Sequence, residues 1–229
     1  MKKLALLVVF ILTAVTASGA PVNKSLFGRV VGKGESTEKL IALTFDDGPS
    51  KVFTPQVLAV LKKYNVRATF FMCGEQANYY PELVKQVSVD GNEIADHSWS
   101  HPNLYKNKAM RGAPMAAEVL KTSKLIEKLV MIKPAFFRAP YNYAGKETVK
   151  AVNDLGLVYV GWTFSLLDWE KPAPQVMIDM FNRKLMPGTI LLLHDGGGSR
   201  TNTVAALPGI IEAAKKKGYR FITLGEMLK

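Results

Sequence analysis

The chain repeats one pattern along its length: a short apolar run, then a longer stretch with apolar residues at helical spacing. The short runs fall near residues 40–45, 68–72, 93–97, 135–138, 157–164, 189–193 and 220–223. The amphipathic stretches cover 55–64, 81–89, 115–130, 146–155, 174–185 and 204–217. Apolar runs of this length suit strands, and the longer stretches suit helices. Strand and helix in alternation, about seven times over, call for a parallel sheet, because parallel neighbours must be joined by a crossover. A (β/α) barrel and a doubly wound open sheet both satisfy this. At 229 residues the chain suits one substantial core better than two. No glycine-rich phosphate loop follows the first strand, which counts against nucleotide binding.

Local signals set the helix ends. Thr54 reads as an N-cap with Pro55 in the first helical position. Pro208 reads as the start of the last helix or a kink in it, and Gly218 suits its exit. The run Lys215-Lys216-Lys217 reads as the solvated end of that helix.

The first residues differ from the rest. MKK precedes LALLVVFILTAV and then TASGA, a charged, apolar and small-residue order that marks a secretory signal peptide over 1–17. The cut falls between 17 and 20, best after Ala17, since cleavage after Ala20 would put Pro21 next. An uncleaved anchor is the rival, although the apolar run is short of the ~20 residues a spanning helix needs. Residues 18–38 read as a polar leader and 39–229 as the domain. A secreted or cell-envelope location follows, with no span after cleavage. Cys73 is the only cysteine, so no internal disulfide forms, and it reads as a small buried hydrophobe. The net charge of +11 falls to about +9 without Lys2 and Lys3. Such a charge favours an anionic cell wall, while no nucleic-acid recognition motif supports that partner.

Chemistry-bearing residues follow the strands. Asp46 and Asp47 end the first, His97 and His101 follow the third, and Arg138 and Tyr141 the fourth. Asp168 and Trp169 follow the fifth, and His194 and Asp195 end the sixth. In parallel α/β folds these ends converge on one face. If HSWSH makes a helical turn, His97 and His101 lie on one side. With one aspartate they form a two-histidine, one-carboxylate set suited to catalytic zinc or non-haem iron(II). The other aspartate is then free to handle a proton, and a cation would offset the repulsion of two adjacent carboxylates. Arg138 would hold one of them charged and oriented. Trp169 is a core residue or a ligand platform. Leu191, Leu192 and Leu193 are buried sheet residues, one of which, facing the site, would line an apolar pocket.

TFDDGPS, HSWSH, RAPY, LLDW and LLLHD, in this order, resemble the five motifs of the polysaccharide deacetylases, the NodB-homology domains of carbohydrate esterase family 4. The resemblance runs from about Leu40 to the C-terminus. It implies a distorted (β/α) barrel of about seven parallel strands. It also implies Asp47, His97 and His101 as ligands to a divalent metal, usually zinc, sometimes cobalt or another divalent ion. Asp46 would be the general base, Arg138 its orienting partner, and His194 the general acid tuned by Asp168. Tyr141 would offer its backbone N–H to the oxyanion, and Trp169 and Leu191 would form the acetyl pocket. Three positions depart from the family pattern: Ala139 replaces an aromatic, Asn142 a glycine and Ser165 an aspartate.

The function implied is metal-dependent hydrolysis of N-acetyl groups on N-acetylglucosamine units of peptidoglycan or chitin-like oligomers, by a monomer. An O-deacetylase acting on acetylated xylan would use the same centre. A non-haem iron oxygenase would leave Asp46 and His194 without roles. A non-catalytic wall-binding module would bind sugar without turnover.

Overall fold

The first strand, β1 (Leu40–Gly48), is buried along almost its whole length. Its alternation has two apolar destinations. Ile41, Leu43 and Phe45 pack into a cluster with the surrounding helices, while Ala42 joins a second cluster on the opposite face of the sheet. A strand covered on both faces is typical of parallel sheets. The computed structural model describes residues 22–229; the expected signal peptide lies outside the described residues.

The remaining elements follow in strict alternation for most of the chain. After β1 come α1 (Phe53–Lys63), β2 (Thr69–Met72), α2 (Gly74–Tyr79), α3 (Pro81–Val89) and β3 (Glu93–Asp96). Next are α4 (Ala113–Val130), β4 (Phe136–Phe137), α5 (Lys146–Asp154), β5 (Val158–Tyr159) and β6 (Phe164–Ser165). The chain closes with α6 (Pro174–Lys184), β7 (Thr189–His194), α7 (Thr201–Lys216), β8 (Arg220–Phe221) and α8 (Leu224–Met227). The sheet order is β5-β4-β3-β2-β1-β7-β6, with β8 paired to the start of β1. Every pairing is parallel. The seven strands on this path form a curled half-barrel, so the barrel alternative holds and the doubly wound sheet does not.

The expected strand over 157–164 is two strands at opposite edges of the sheet. Residues 160–163 cross the seam between them. The segment expected to be a leader fills that seam. Val31 bridges Val160, the Val31 carbonyl accepts from the Gly161 amide, and Thr163 Oγ1 donates to the Gly32 carbonyl. Leu26 and Val31 are core residues, so the domain starts well before residue 39.

Two helix-end expectations also change. Ser50 Oγ, not Thr54, accepts from the amides at the start of α1, those of Val52 and Phe53. Thr54 lies within the first turn, where its hydroxyl accepts from the Ser50 amide and donates to Asp195. α7 begins at Thr201 and runs through Pro208. Its buried stripe of Ala206, Leu207, Ile210, Ile211 and Ala214 continues on both sides of the proline, and this packing outweighs the missing N–H. Among the described residues no helix is long and apolar enough to cross a membrane.

Candidate active site

Strand parity places the site. Ala42 on β1, Ala95 on β3, Phe136 on β4 and Ile190 on β7 face the barrel interior. Counting by twos reaches Asp46, His97, Arg138 and His194 at the strand exits, on the same interior face. Asp47 should then point the opposite way. It does not, because the register with β2 shifts between Asp46 and Gly48 and Asp47 adopts φ +71. A bulge of this kind re-aims a side chain at a strand end. It turns both carboxylates into one cleft.

Asp47 Oδ1 lies 3.3 Å from His97 Nε2 and 3.1 Å from His101 Nε2. His97 Nδ1 is 2.8 Å from the Arg138 carbonyl. A carbonyl can only accept, so Nδ1 carries a proton, and in the neutral tautomer the Nε2 lone pair is the one that faces Asp47. Asp47 Oδ1 is buried and has no hydrogen-bond donor among the described residues. Lone pairs converging on one buried point call for a cation, and one ligand atom each from Asp47, His97 and His101 all lie within 4.8 Å of one another. The trio therefore fits a divalent metal. Burial raises the Asp47 carboxyl pKa, but His101 and His97 outweigh burial and hold it far below the usual carboxylate range.

HSWSH is not a helical turn. Ser98 and His101 both have positive φ, and the loop is held by Glu118 Oε2, which accepts from the amides of Trp99 and Ser100 and from the Ser100 hydroxyl. The two imidazole centroids still come to 5.1 Å. Beneath them Asp96 turns the other way, accepting from Ser123 Oγ and the Ser98 amide. Burial pushes its carboxyl up to about 8.

Asp46 has a separate partner. Arg138 Nη1 donates to Asp46 Oδ1 at 2.7 Å and to Thr44 Oγ1 at 2.8 Å, and Nη2 donates to the Gly161 carbonyl at 2.7 Å. The guanidinium, fully buried, lies over the Phe71 ring. Across the cleft His194 Nδ1 meets Asp168 Oδ1 at 2.8 Å. Asp168 Oδ2 accepts from the His194 amide and from Thr203 Oγ1, so the carboxylate is fixed from three sides. Burial lowers the His194 pKa, but the Asp168 hydrogen bond and charge outweigh it and raise the imidazole above its ordinary value.

The cleft is about 1200 Å³ and is lined by Asp46, Asp47, the three histidines, Tyr141, Trp162 and Trp169. That exceeds an ordinary small-molecule pocket and suits a polymer segment. Tyr141 is 57% exposed and Trp169 42%, both open to a ligand. Leu191 does not line the cleft. It packs among the helix-facing core residues, and Leu192, two residues before His194 and of the same parity, takes the place expected for it. Alternation along β7 held that signal.

The three departures are accommodated. Ala139 is buried beside Tyr143 in a local core. Asn142 has φ +57, a conformation asparagine tolerates better than other non-glycine residues. Ser165 Oγ accepts from the Leu167 amide, bracing the turn that leads to Asp168.

Sequence reasoning missed Glu118 and Arg200, and it named Asp195 without assigning it a role. Arg200 donates to the Gly196 and Gly197 carbonyls and holds that loop against Asp47, where a side chain on Gly197 would collide with the carboxylate. Asp195 is buried, donates its amide proton to the Asp46 carbonyl, and has its carboxyl pushed up by burial to about 7. Neither role has a local sequence signature, because each depends on a loop distant in the chain.

The family model for polysaccharide deacetylase matches residues 33–160, and the chain belongs to that family. A peptidoglycan-N-acetylglucosamine deacetylase of Bacillus cereus is 39% identical over 204 residues, covering 88% of this chain and 94% of that protein. A chitooligosaccharide deacetylase of Sinorhizobium fredii is 33% identical, covering 83% and 93%. Among solved structures, a peptidoglycan N-acetylglucosamine deacetylase in complex with a substituted benzamide superposes with TM-score 0.82 at 33% identity, covering 87% of this chain and 92% of that one. A family pseudoenzyme from Bacillus anthracis superposes at 0.79 with 27% identity, covering 88% and 69%.

Proposed function

We propose that this protein is a metal-dependent N-deacetylase of N-acetylglucosamine polymers, acting on peptidoglycan or chitin-like oligomers outside the cytoplasm. One observation carries the reading: the two adjacent aspartates enter the same cleft with separate partners, Asp46 with Arg138 and Asp47 with the two histidines. A dead member of such a family would be expected to lose one of these pairings. The names of the relatives support the substrate class, and the sequence of residues 1–17 supports export.

Asp47, His97 and His101 would hold the metal, and a two-nitrogen, one-oxygen donor set suits zinc. When bound, the metal polarises the acetyl carbonyl and lowers the pKa of its water. Asp46, oriented by Arg138, takes the proton from the attacking water. The Tyr141 amide, in a tight turn where Tyr141 has φ +56, would donate to the oxyanion; such a donor is worth about 3–4 kcal/mol. His194 protonates the departing amine. Its pKa, raised by Asp168, keeps that proton on the imidazole to higher pH than for a free histidine. Trp169 and Leu192 offer apolar surface to the acetyl methyl.

Acetate release measured in parallel on N-acetylglucosamine oligomers, peptidoglycan and acetylxylan tests the reading. Release from either of the first two is expected. Release from acetylxylan alone would make the protein an O-deacetylase, and no release from any of them would overturn the assignment.

A further inference from the structure

The end of the barrel opposite the cleft has its own character. Helices of a parallel barrel run against the strands, so their C-termini gather at the strand N-termini. Lys62 and Lys63 end α1, Arg183 and Lys184 end α6, and Lys215, Lys216 and Lys217 close α7, all exposed. α7 packs against both α1 and α6, so the three basic ends are neighbours. Few acids lie nearby: Glu38 pairs with Arg220, Glu212 accepts from the Tyr64 hydroxyl and keeps its charge, and Asp90, next to Val89, accepts from Gln86. Lys215 and Lys217 donate to the backbone carbonyls of Tyr64 and Asn182, which fixes the ammonium groups in place without neutralising them.

Exposed apolar side chains share this end. Met186 follows α6, Met131 follows α4 and Val89 ends α3, with 41%, 82% and 80% of their surface open. The chain also enters the fold here. Val22 borders the hollow formed by Arg67, Glu93 and Ala135, residues at the starts of β2, β3 and β4. Cations with Met186 two residues beyond Lys184, and further exposed apolar side chains at the same end, match a lipid surface better than a soluble polyanion, which offers nothing for a methionine to enter.

We propose that this end of the domain docks on an anionic bilayer, with the cleft turned away from the lipid. Each cation at such a surface contributes to binding, and the contribution fades with salt.

The test uses the full chain and sucrose-loaded vesicles of phosphatidylcholine, with or without phosphatidylglycerol. Lys215→Gln, Lys216→Gln and Lys217→Gln are combined in one variant. A control combines Lys106→Gln, Lys108→Gln and Lys146→Gln, removing the same charge elsewhere, and thermal melting confirms that both fold. The first variant should partition at least about tenfold more weakly onto the anionic vesicles at low salt, with binding to neutral vesicles unchanged and the control within about twofold of wild type. Equal partitioning of the two variants would overturn the proposal. So would retention by a soluble phosphodiester polymer with no gain on anionic vesicles, which would point to a wall polyanion. Partitioning does not depend on what the cleft hydrolyses, so this proposal and the deacetylase reading fail separately.

Discussion

Arg138 holds His97 and Asp46 through different atoms: its carbonyl accepts from His97 Nδ1 at 2.8 Å, and its guanidinium donates to Asp46 at 2.7 Å. The backbone contact sets the tautomer of a metal-ligand candidate, and the side chain orients the candidate base.

Arg138→Ala separates these roles, because the carbonyl survives the substitution. Metal content should be unchanged while turnover falls by about a hundredfold or more. Stability should drop by about 3–5 kcal/mol, since Asp46 is left buried without its ion-pair partner. Metal analysis beside acetate assays checks this; parallel loss of metal and turnover would make the arginine a general structural support.

Asp47→Ala should abolish stoichiometric zinc binding in a calorimetric titration. The two imidazoles that remain lack the carboxylate that completes the set. Binding of a full equivalent by this variant would remove Asp47 from the ligand assignment.

Much of the site was legible because parallel α/β topology sends strand exits to one face, so motif order alone gathered Asp46, His97, Arg138, Asp168 and His194. Strand parity was equally readable and would have chosen Leu192 over Leu191. The bulge at Asp47 was not readable, since left-handed φ at a non-glycine residue depends on the Gly196-Gly197 loop packed against it. The split of 157–164 into two edge strands also escaped local reading, because Val31 and Gly32, more than a hundred residues earlier, occupy the seam.

Asp168→Asn bears on pH dependence. Asp168 raises the His194 pKa in the folded protein, so the stabilisation of the imidazolium is fully present below the unfolded histidine value and is lost as pH rises through the folded one. If His194 acts as the acid, activity falls over that same upper range. In the variant the alkaline limb of kcat should move to lower pH, with turnover reduced by about a hundredfold or more. An unmoved limb would mean another group donates the proton.

Leu191→Ala and Leu192→Ala should act oppositely. The first opens a cavity on the helix side of β7 and should cost about 2–5 kcal/mol of stability, with near-normal turnover per folded molecule. The second should alter the acetyl pocket, lowering kcat/KM by about tenfold and weakening discrimination against longer acyl groups. Chemical denaturation and kinetics on acetyl and propionyl oligomers separate the two.

The most direct test of the account is zinc titration into chelator-stripped protein while acetate release from N-acetylglucosamine oligomers is followed, for the wild type and Asp46→Asn. One equivalent should restore wild-type turnover, and Asp46→Asn should take up the same equivalent yet remain at least about a hundredfold slower. Full turnover in stripped protein, or undiminished turnover in Asp46→Asn, would contradict the division of labour between the two aspartates.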